Sequence, residues 1–137
     1  MSKILIDTNV LVYSVDEDSK YFDKAQSLVL KTSHDLYTTS KNLSEFLVVV
    51  TKYPKNSLSI SESIKVIRDF SEFITILYPS PLSFKLFQEL LMTYNPRGLK
   101  IHDIEIVSIA LSHQIDLVAT FNEQDFKDIK EITLYFK

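Results

Sequence analysis

Acidic and amide side chains in this sequence follow apolar segments, at positions where folding could bring them together. Asp7 comes directly after the apolar run Ile4-Leu5-Ile6. In open α/β sheets ligands bind at the carboxyl ends of the strands, so a carboxylate placed there reaches a cleft and not the core. The other residues with this potential are Glu45, Asp103 and Asn122.

Carboxylates that converge on one cleft repel one another and do not stay ionised without a cation. Because the chain has no cysteine, any metal must be held by oxygen or imidazole. Mg²⁺ is the natural partner, with Mn²⁺ as an alternative, since these hard ions take carboxylate and water oxygens. Such a site activates water and neutralises charge on a phosphodiester, so the pattern predicts metal-assisted hydrolysis.

Asp103 and Glu45 also have ordinary structural explanations. Asp103 would act as an N-cap or first-turn acid of a buried helix. That helix, aimed at the sheet, would nevertheless bring Asp103 to the edge where Asp7 emerges. Glu45 lies among apolar neighbours, where an unpaired charge is costly, and it would either join the site or form a salt bridge with Lys41 or Lys52.

The segment from Leu117 to Phe126 repeats the pattern of a strand followed by a polar turn. Thr120, Asn122 and Asp125 could all face the same cleft as Asp7. The structural alternative is an ordinary loop in which Asn122 or Asp125 caps the next turn. The joint arrangement at strand ends favours the site over these separate explanations.

Short apolar runs alternate with longer segments of helical periodicity, which predicts one α/β domain over residues 1–137. We expect a doubly wound, parallel sheet of four to five strands flanked by helices. The predicted strands are Lys3 to Ile6, Leu36 to Thr38, Ile74 to Leu77, Leu117 to Ala119 and Thr133 to Phe136. The predicted helices are a short turn after Asn9, then Ser19 to Lys31, Ser40 to Tyr53, a helix starting near Ser59, Pro81 to Tyr94, and His102 to Gln114.

The composition excludes several classes of protein. The single glycine, Gly98, excludes the Walker and dinucleotide-binding loops, which need several glycines close to phosphate. A net charge of -3 gives no overall attraction for nucleic acid, so local basic residues would have to supply it. The sequence contains no run long enough for a membrane span and no signal-type segment, which predicts a cytoplasmic protein without membrane contact.

Taken together, four motifs in order resemble those of the PIN-domain ribonucleases, and the chain length is similar to that of the VapC-type toxins of toxin–antitoxin pairs. The similarity covers essentially the whole chain. The motifs are Ile4-Leu5-Ile6-Asp7-Thr8-Asn9, Ser44-Glu45-Phe46, His102-Asp103 and Thr120-Phe121-Asn122-Glu123-Gln124-Asp125-Phe126.

The resemblance implies a magnesium-dependent endoribonuclease in which Asp7 and Asp103 are the principal metal ligands. Glu45 would complete the acidic site, and Thr8 or Asn9 would support it through hydrogen bonds. Asn122 falls where many members place a fourth aspartate, and Asp125 is a candidate to replace that charge. The resemblance also implies an RNA substrate, a homodimer and a small antitoxin protein.

Two other functions remain open from the sequence. Asn122 and the acidic net charge would also suit a catalytically weakened module that binds RNA or a partner protein. Phosphoryl transfer with Asp7 as the nucleophile is the third alternative. That class usually carries a second aspartate two residues later, where this chain has Asn9, so this alternative ranks last.

Overall fold

A parallel five-stranded sheet lies at the centre of the protein, in a computed structural model that describes residues 2–136. In chain order its strands are β1 (Lys3–Ile6), β2 (Asp35–Thr39), β3 (Ile74–Leu77), β4 (Leu117–Ala119) and β5 (Thr133–Leu134). Across the sheet they follow the order β3-β2-β1-β4-β5. The chain therefore builds outward from β1 in one direction and then in the other, which opens a crevice at the carboxyl ends of β1 and β4.

Helices cover both faces of the sheet. They are α1 (Thr8–Tyr13), α2 (Phe22–Lys31), α3 (Ser40–Lys52), α4 (Ile60–Ser71), α5 (Pro81–Tyr94), α6 (Lys100–Ser112) and a 3₁₀ helix at Glu123–Asp125. Side chains alternate along β1, so Ile4 and Ile6 pack with the buried residues of α1 to α4, whereas Leu5 packs with those of α6. The predicted α/β class, parallel sheet and flanking helices are confirmed.

The buried character predicted for α6 is also confirmed. Six of its residues are buried, and they lie on all sides of the helix: Ile104, Ile106, Val107, Ser108, Ile109 and Ala110. The helix begins at Lys100 and not at His102, and it ends at Ser112, before Gln114 adopts a left-handed φ of 62°. Asp103 is therefore a first-turn residue and not the N-cap.

Other predicted boundaries were also wrong. The strand β2 is one residue longer at each end than predicted, and α3 ends at Lys52 and not at Tyr53. The predicted short turn after Asn9 is the helix α1, which starts at Thr8, with only Asp7 between it and the strand. The helix α2 starts at Phe22, because the carbonyl and hydroxyl of Ser19 accept hydrogen bonds that form a separate turn. The strand β5 ends at Leu134, since the ladder pairs it with only two residues of β4.

The predicted starts of α4 and α5 are confirmed, and a side-chain cap begins each helix. Ser59 and Glu62 form a capping box at α4, and Ser80 caps α5 with Pro81 at the first helical position. The loop before α6 contains Gly98 in a left-handed conformation (φ 61°), which suits glycine. None of the helices within residues 2–136 is long and apolar enough to cross a bilayer.

Candidate active-site cleft

The carboxylate of Asp7 is buried and is held by three polar side chains. Asp7 has only 7% exposure, and its backbone N–H donates to the Ala119 carbonyl at 3.0 Å, which joins the ends of β1 and β4. Its Oδ2 accepts from Thr120 Oγ1 at 2.9 Å and from Asn9 Nδ2 at 3.3 Å. Its Oδ1 accepts from Asn42 Nδ2 at 3.2 Å. Asp7 occupies the N-cap position of α1, but its side chain makes no capping bond. Its carboxylate oxygens bond instead to these three side chains.

Asn42 is the residue of this network that sequence reasoning missed. It is fully buried, and its Oδ1 accepts from the backbone N–H and hydroxyl of Thr39 in a capping box at α3. Its Nδ2 donates to Asp7 and to Thr8 Oγ1 at 3.0 Å. The signal in the sequence was the Thr39-x-x-Asn42 spacing, which indicates a cap but not the contact with Asp7.

The supporting residues predicted at the two strand ends lie together. The Nδ2 of Asn9 also donates to Thr120 Oγ1 at 3.1 Å, and its Oδ1 accepts from the backbone N–H of Phe121 at 3.0 Å. Thr8 is buried, and its hydroxyl contacts Asn42. The two bonds of Asn9 join residues more than 100 positions apart in the chain, and with the bonds to Asp7 they hold its carboxylate in a fixed orientation.

A cleft of about 510 Å³ contains the predicted acids and the amide. Its lining includes Asp7, Glu45, Asp103, Asn122 and Asp125. The structure therefore brings the predicted site residues to one place, at the carboxyl ends of β1 and β4. Thr120 is not part of the cleft wall and acts through its bond to Asp7.

Glu45 differs from what its sequence context predicted. The residue is exposed, and its neighbour Val48 is 57% exposed, so no desolvation cost arises there. The alternative salt bridge is also absent, because Lys41 pairs with Glu105 at 3.3 Å, and Glu45 forms no ion pair within residues 2–136. The sequence pattern placed Glu45 on the correct helix but wrongly predicted that its side chain would lie among buried apolar residues.

The structural alternative for Asn122 and Asp125 is wrong, because the 3₁₀ helix has no side-chain capping bond. Asn122 is the N-cap residue of the 3₁₀ helix, and its Nδ2 donates to the Asp125 carboxylate. Both side chains also line the cleft. The amide of Asn122 therefore orients the charge of Asp125 within the cleft.

The electrostatics of the cleft show carboxylates without enough compensating charge. Burial, with smaller contributions from the charges of Glu45 and Asp125, raises the pKa of Asp7 to about 6 despite its hydrogen bond from Thr120. Burial likewise raises the pKa of Asp103 to about 7, with Asp125, Asp7 and Glu45 adding to the increase. Lys100 opposes this increase at Asp103 without cancelling it.

This donor set fits a divalent cation in its chemistry, although the acids are not gathered as a finished metal site. Residues 2–136 contain no group of three His, Asp or Glu side chains arranged to hold a metal ion. Mg²⁺, however, usually takes one or two protein carboxylates and completes its shell with water and substrate phosphates. Asp7 and Asp103 would meet that requirement, and a cation would stabilise the charged forms that burial, and to a smaller extent repulsion, disfavours.

The raised pKa of Asp7 predicts how stability changes with pH in the metal-free protein. Its pKa rises from 3.8 to about 6 on folding, so between these pH values the folded state binds more protons than the unfolded state. The free energy of unfolding should therefore fall as pH rises, by roughly 1.5 kcal/mol from this group between pH 5 and 7.5. Urea denaturation in EDTA should show that loss in the wild type and a smaller one in Asp7→Asn. Identical pH profiles would contradict the assignment.

Comparison with known proteins identifies relatives of the whole chain. Residues 4–132 match the family model described as PIN domain. The structure is similar to VapBC2 from Rickettsia felis bound to a DNA fragment from its promoter, with a TM-score of 0.70, 21% identity and 96% of each chain covered. It is also similar to VapC20 from Mycobacterium tuberculosis, a sarcin-ricin loop cleaving toxin, with a TM-score of 0.70 and 11% identity over 89% of this chain and 92% of that one. DNA-bound VapBC from Salmonella typhimurium gives a TM-score of 0.68 and 21% identity over 98% and 97%.

No curated protein sequence matches the chain. At the identities just given, the structural similarities show a shared fold.

Proposed function

The chain belongs to the PIN domain family, and from this membership we propose that it is a metal-dependent endoribonuclease that acts as the toxin of a toxin–antitoxin pair. The observation that carries the proposal is the buried Asp7 carboxylate. Donors from α1, α3 and the end of β4 hold it in the same cleft as Asp103. A buried acid that lies in a cleft and has a raised pKa is typical of a functional site.

We assign the metal to Asp7 and Asp103, with Glu45 completing the site. A bound Mg²⁺ or Mn²⁺ would supply Lewis acidity toward the phosphodiester and lower the pKa of a water molecule. Asn9, Asn42 and Thr120 hold the Asp7 oxygens in a fixed orientation. Glu45, exposed at the rim, is free to contact the metal or to orient the attacking water. Asp125 adds negative charge, and Asn122 orients it.

Cleavage of RNA by the purified protein tests this function. We expect cleavage of a single-stranded RNA with Mg²⁺ or Mn²⁺, and no cleavage in EDTA. Asp103→Asn should abolish most of the activity, because it removes one of the two principal carboxylates, and this variant also controls for nucleases that co-purify. Activity that survives both chelation and the substitution would exclude the proposal.

The binding module remains the competing function, and the absence of a ready-made three-residue site within residues 2–136 favours it. Calorimetric titration separates the two. The nuclease predicts that Mn²⁺ binds to the wild type and binds weakly to Asp103→Asn. A module without catalysis predicts no heat of binding at millimolar Mn²⁺ together with retained binding of RNA.

We also propose a small antitoxin and a homodimer as partners. Solved relatives of this fold are toxin–antitoxin complexes from Rickettsia felis, Salmonella typhimurium and Klebsiella pneumoniae. The helix α5 exposes large apolar side chains, with Phe84 at 58% and Leu82 at 54%, which is typical of an interaction surface. Sedimentation of the pure chain should give twice the monomer mass, and a monomer at high micromolar concentration would contradict the homodimer.

A further inference from the structure

A second groove shares no lining residue with the cleft. Its volume is about 560 Å³, and it is formed by one face of α2 and by the residues after β5. Lys24 and Lys31 line one wall, and Tyr135 and Phe136 line the other, with Asp23 as the acidic residue of the lining. Lys24 and Lys31 are seven residues apart, so they project from the same face of the helix. We call this feature the lysine–aromatic groove.

A continuous row of aromatic rings connects the acidic cleft with the lysine–aromatic groove. Tyr13 lines the cleft and contacts Tyr21, with ring centroids 5.3 Å apart. Tyr21 stacks on Phe121 at 4.5 Å, and Phe121 stacks on Phe136 at 4.6 Å. Phe136 lines the groove. Three ring contacts therefore span the distance between the two features.

Lysine ammonium groups lie over this row. The Nζ of Lys20 is 5.1 Å from the ring centroid of Tyr21, and the Nζ of Lys24 is 5.6 Å from that of Phe136. Neither lysine forms a salt bridge with an acid of residues 2–136, and the same holds for Lys31. The positive charges along the row are therefore available to an external anion.

The charge distribution gives these lysines a specific use. The net charge of the chain is -3, and the cleft itself is acidic, so RNA phosphates outside a metal site are repelled there. An RNA chain that enters the cleft must therefore be held by positive charge nearby. Other proteins bind single-stranded nucleic acid with the same two kinds of side chain: basic groups follow the backbone, and aromatic rings stack on the bases.

We propose that the lysine–aromatic groove and the ring row bind the nucleotides that flank the cleavage point in single-stranded RNA. The inference rests on the proposed function, because it assigns the path of the substrate away from the same cleft. Lys20, Lys24 and Lys31 pair with phosphates, and the exposed parts of Tyr135 and Phe136 contact bases.

The test measures RNA binding by fluorescence anisotropy with labelled oligouridylates of about 4 and about 15 nucleotides. Catalysis is removed by carrying Asp7→Asn in every protein. The triple variant Lys20→Gln, Lys24→Gln, Lys31→Gln should bind the long RNA roughly tenfold more weakly. The plot of log affinity against log salt should also become shallower by about 2, since each lost phosphate contact removes about 0.7. The short RNA cannot reach the groove from the cleft, so it should bind weakly and equally to both proteins.

The matched control changes the same charge on other surfaces, with Lys65→Gln, Lys85→Gln and Lys130→Gln. It should leave both affinities unchanged, and an equal loss in this control would show that only net charge matters and would overturn the proposal. Phe136→Leu tests stacking, because it keeps an apolar side chain and should weaken the long RNA severalfold without changing the salt slope. No effect of either groove variant on the long RNA would also overturn it.

Cleavage assays with Asp7 intact separate this inference from the proposed function. If the wild type cleaves both RNAs and the triple variant cleaves them equally well, the proposed function holds but the groove has no role in it. If the protein binds the long RNA through the three lysines but cleaves neither RNA, the role of the groove holds and the nuclease function is wrong. The expected result is cleavage of both RNAs, with the triple variant impaired only on the long one.

Discussion

Asp7→Asn is expected to lower RNA cleavage by at least about a hundredfold. Changing even the hydrogen-bond partners of a metal ligand typically costs ten- to a hundredfold, so loss of a ligand charge should cost more. The amide keeps the shape of the side chain but removes the buried negative charge. The cleavage rate at saturating Mg²⁺, measured against the wild type, checks this prediction.

Asp35→Asn is the matched control for that experiment. Asp35 is exposed and begins β2, at the opposite edge of the sheet from the cleft. The same change of charge there should leave cleavage within about twofold of the wild type, because surface substitutions away from a site have small effects. Equal losses in both variants would mean that Asp7 has no special role.

Asn42→Asp is expected to destabilise the metal-free protein by roughly 3 kcal/mol or more at pH 7.5. The change replaces the Nδ2 that donates to Asp7 and Thr8 by an oxygen. It also places a second carboxylate against a buried one. At pH 5 one of the two carboxyls should hold a proton and donate it to the other, so the loss should become smaller as the pH falls. Urea denaturation in EDTA at the two pH values measures both effects.

Asn122→Asp is the control for Asn42→Asp, since it makes the same substitution on an exposed side chain in the same cleft. We expect it to change the free energy of unfolding by less than about 1 kcal/mol. If Asn42→Asp were as stable as the wild type at pH 7.5, the donor role of Asn42 toward Asp7 would be wrong.

The strands that position the site were predictable because each is a short apolar run bounded by polar residues. The bounds of β1, β3 and β4 agree with the sequence pattern, and Asp7 and Thr120 follow directly from them. The predicted β5 was two residues too long, because Tyr135 and Phe136 are as β-prone as the residues before them. Their place is instead set by packing against Phe121 and His34.

The environment of each site residue was harder to predict than its position. The role of Asn42 depends on how the start of α3 meets the end of β1, a contact between residues 35 positions apart. A local cap pattern carries no information about that contact. The exposure of Glu45 was misjudged for the same reason, since an apolar run within a helix does not say which side faces the sheet. Asp125 gained importance because its charge contributes to the raised pKa of Asp103.

A crystal structure of the protein with Mn²⁺ tests the central claim most directly, because Mn²⁺ scatters anomalously and substitutes for Mg²⁺ at oxygen ligands. The account predicts an anomalous peak in the cleft bonded to carboxylate oxygens of Asp7 and Asp103, and no such peak in Asp7→Asn. An empty cleft at millimolar Mn²⁺, or a cation bound only elsewhere on the protein, would contradict it.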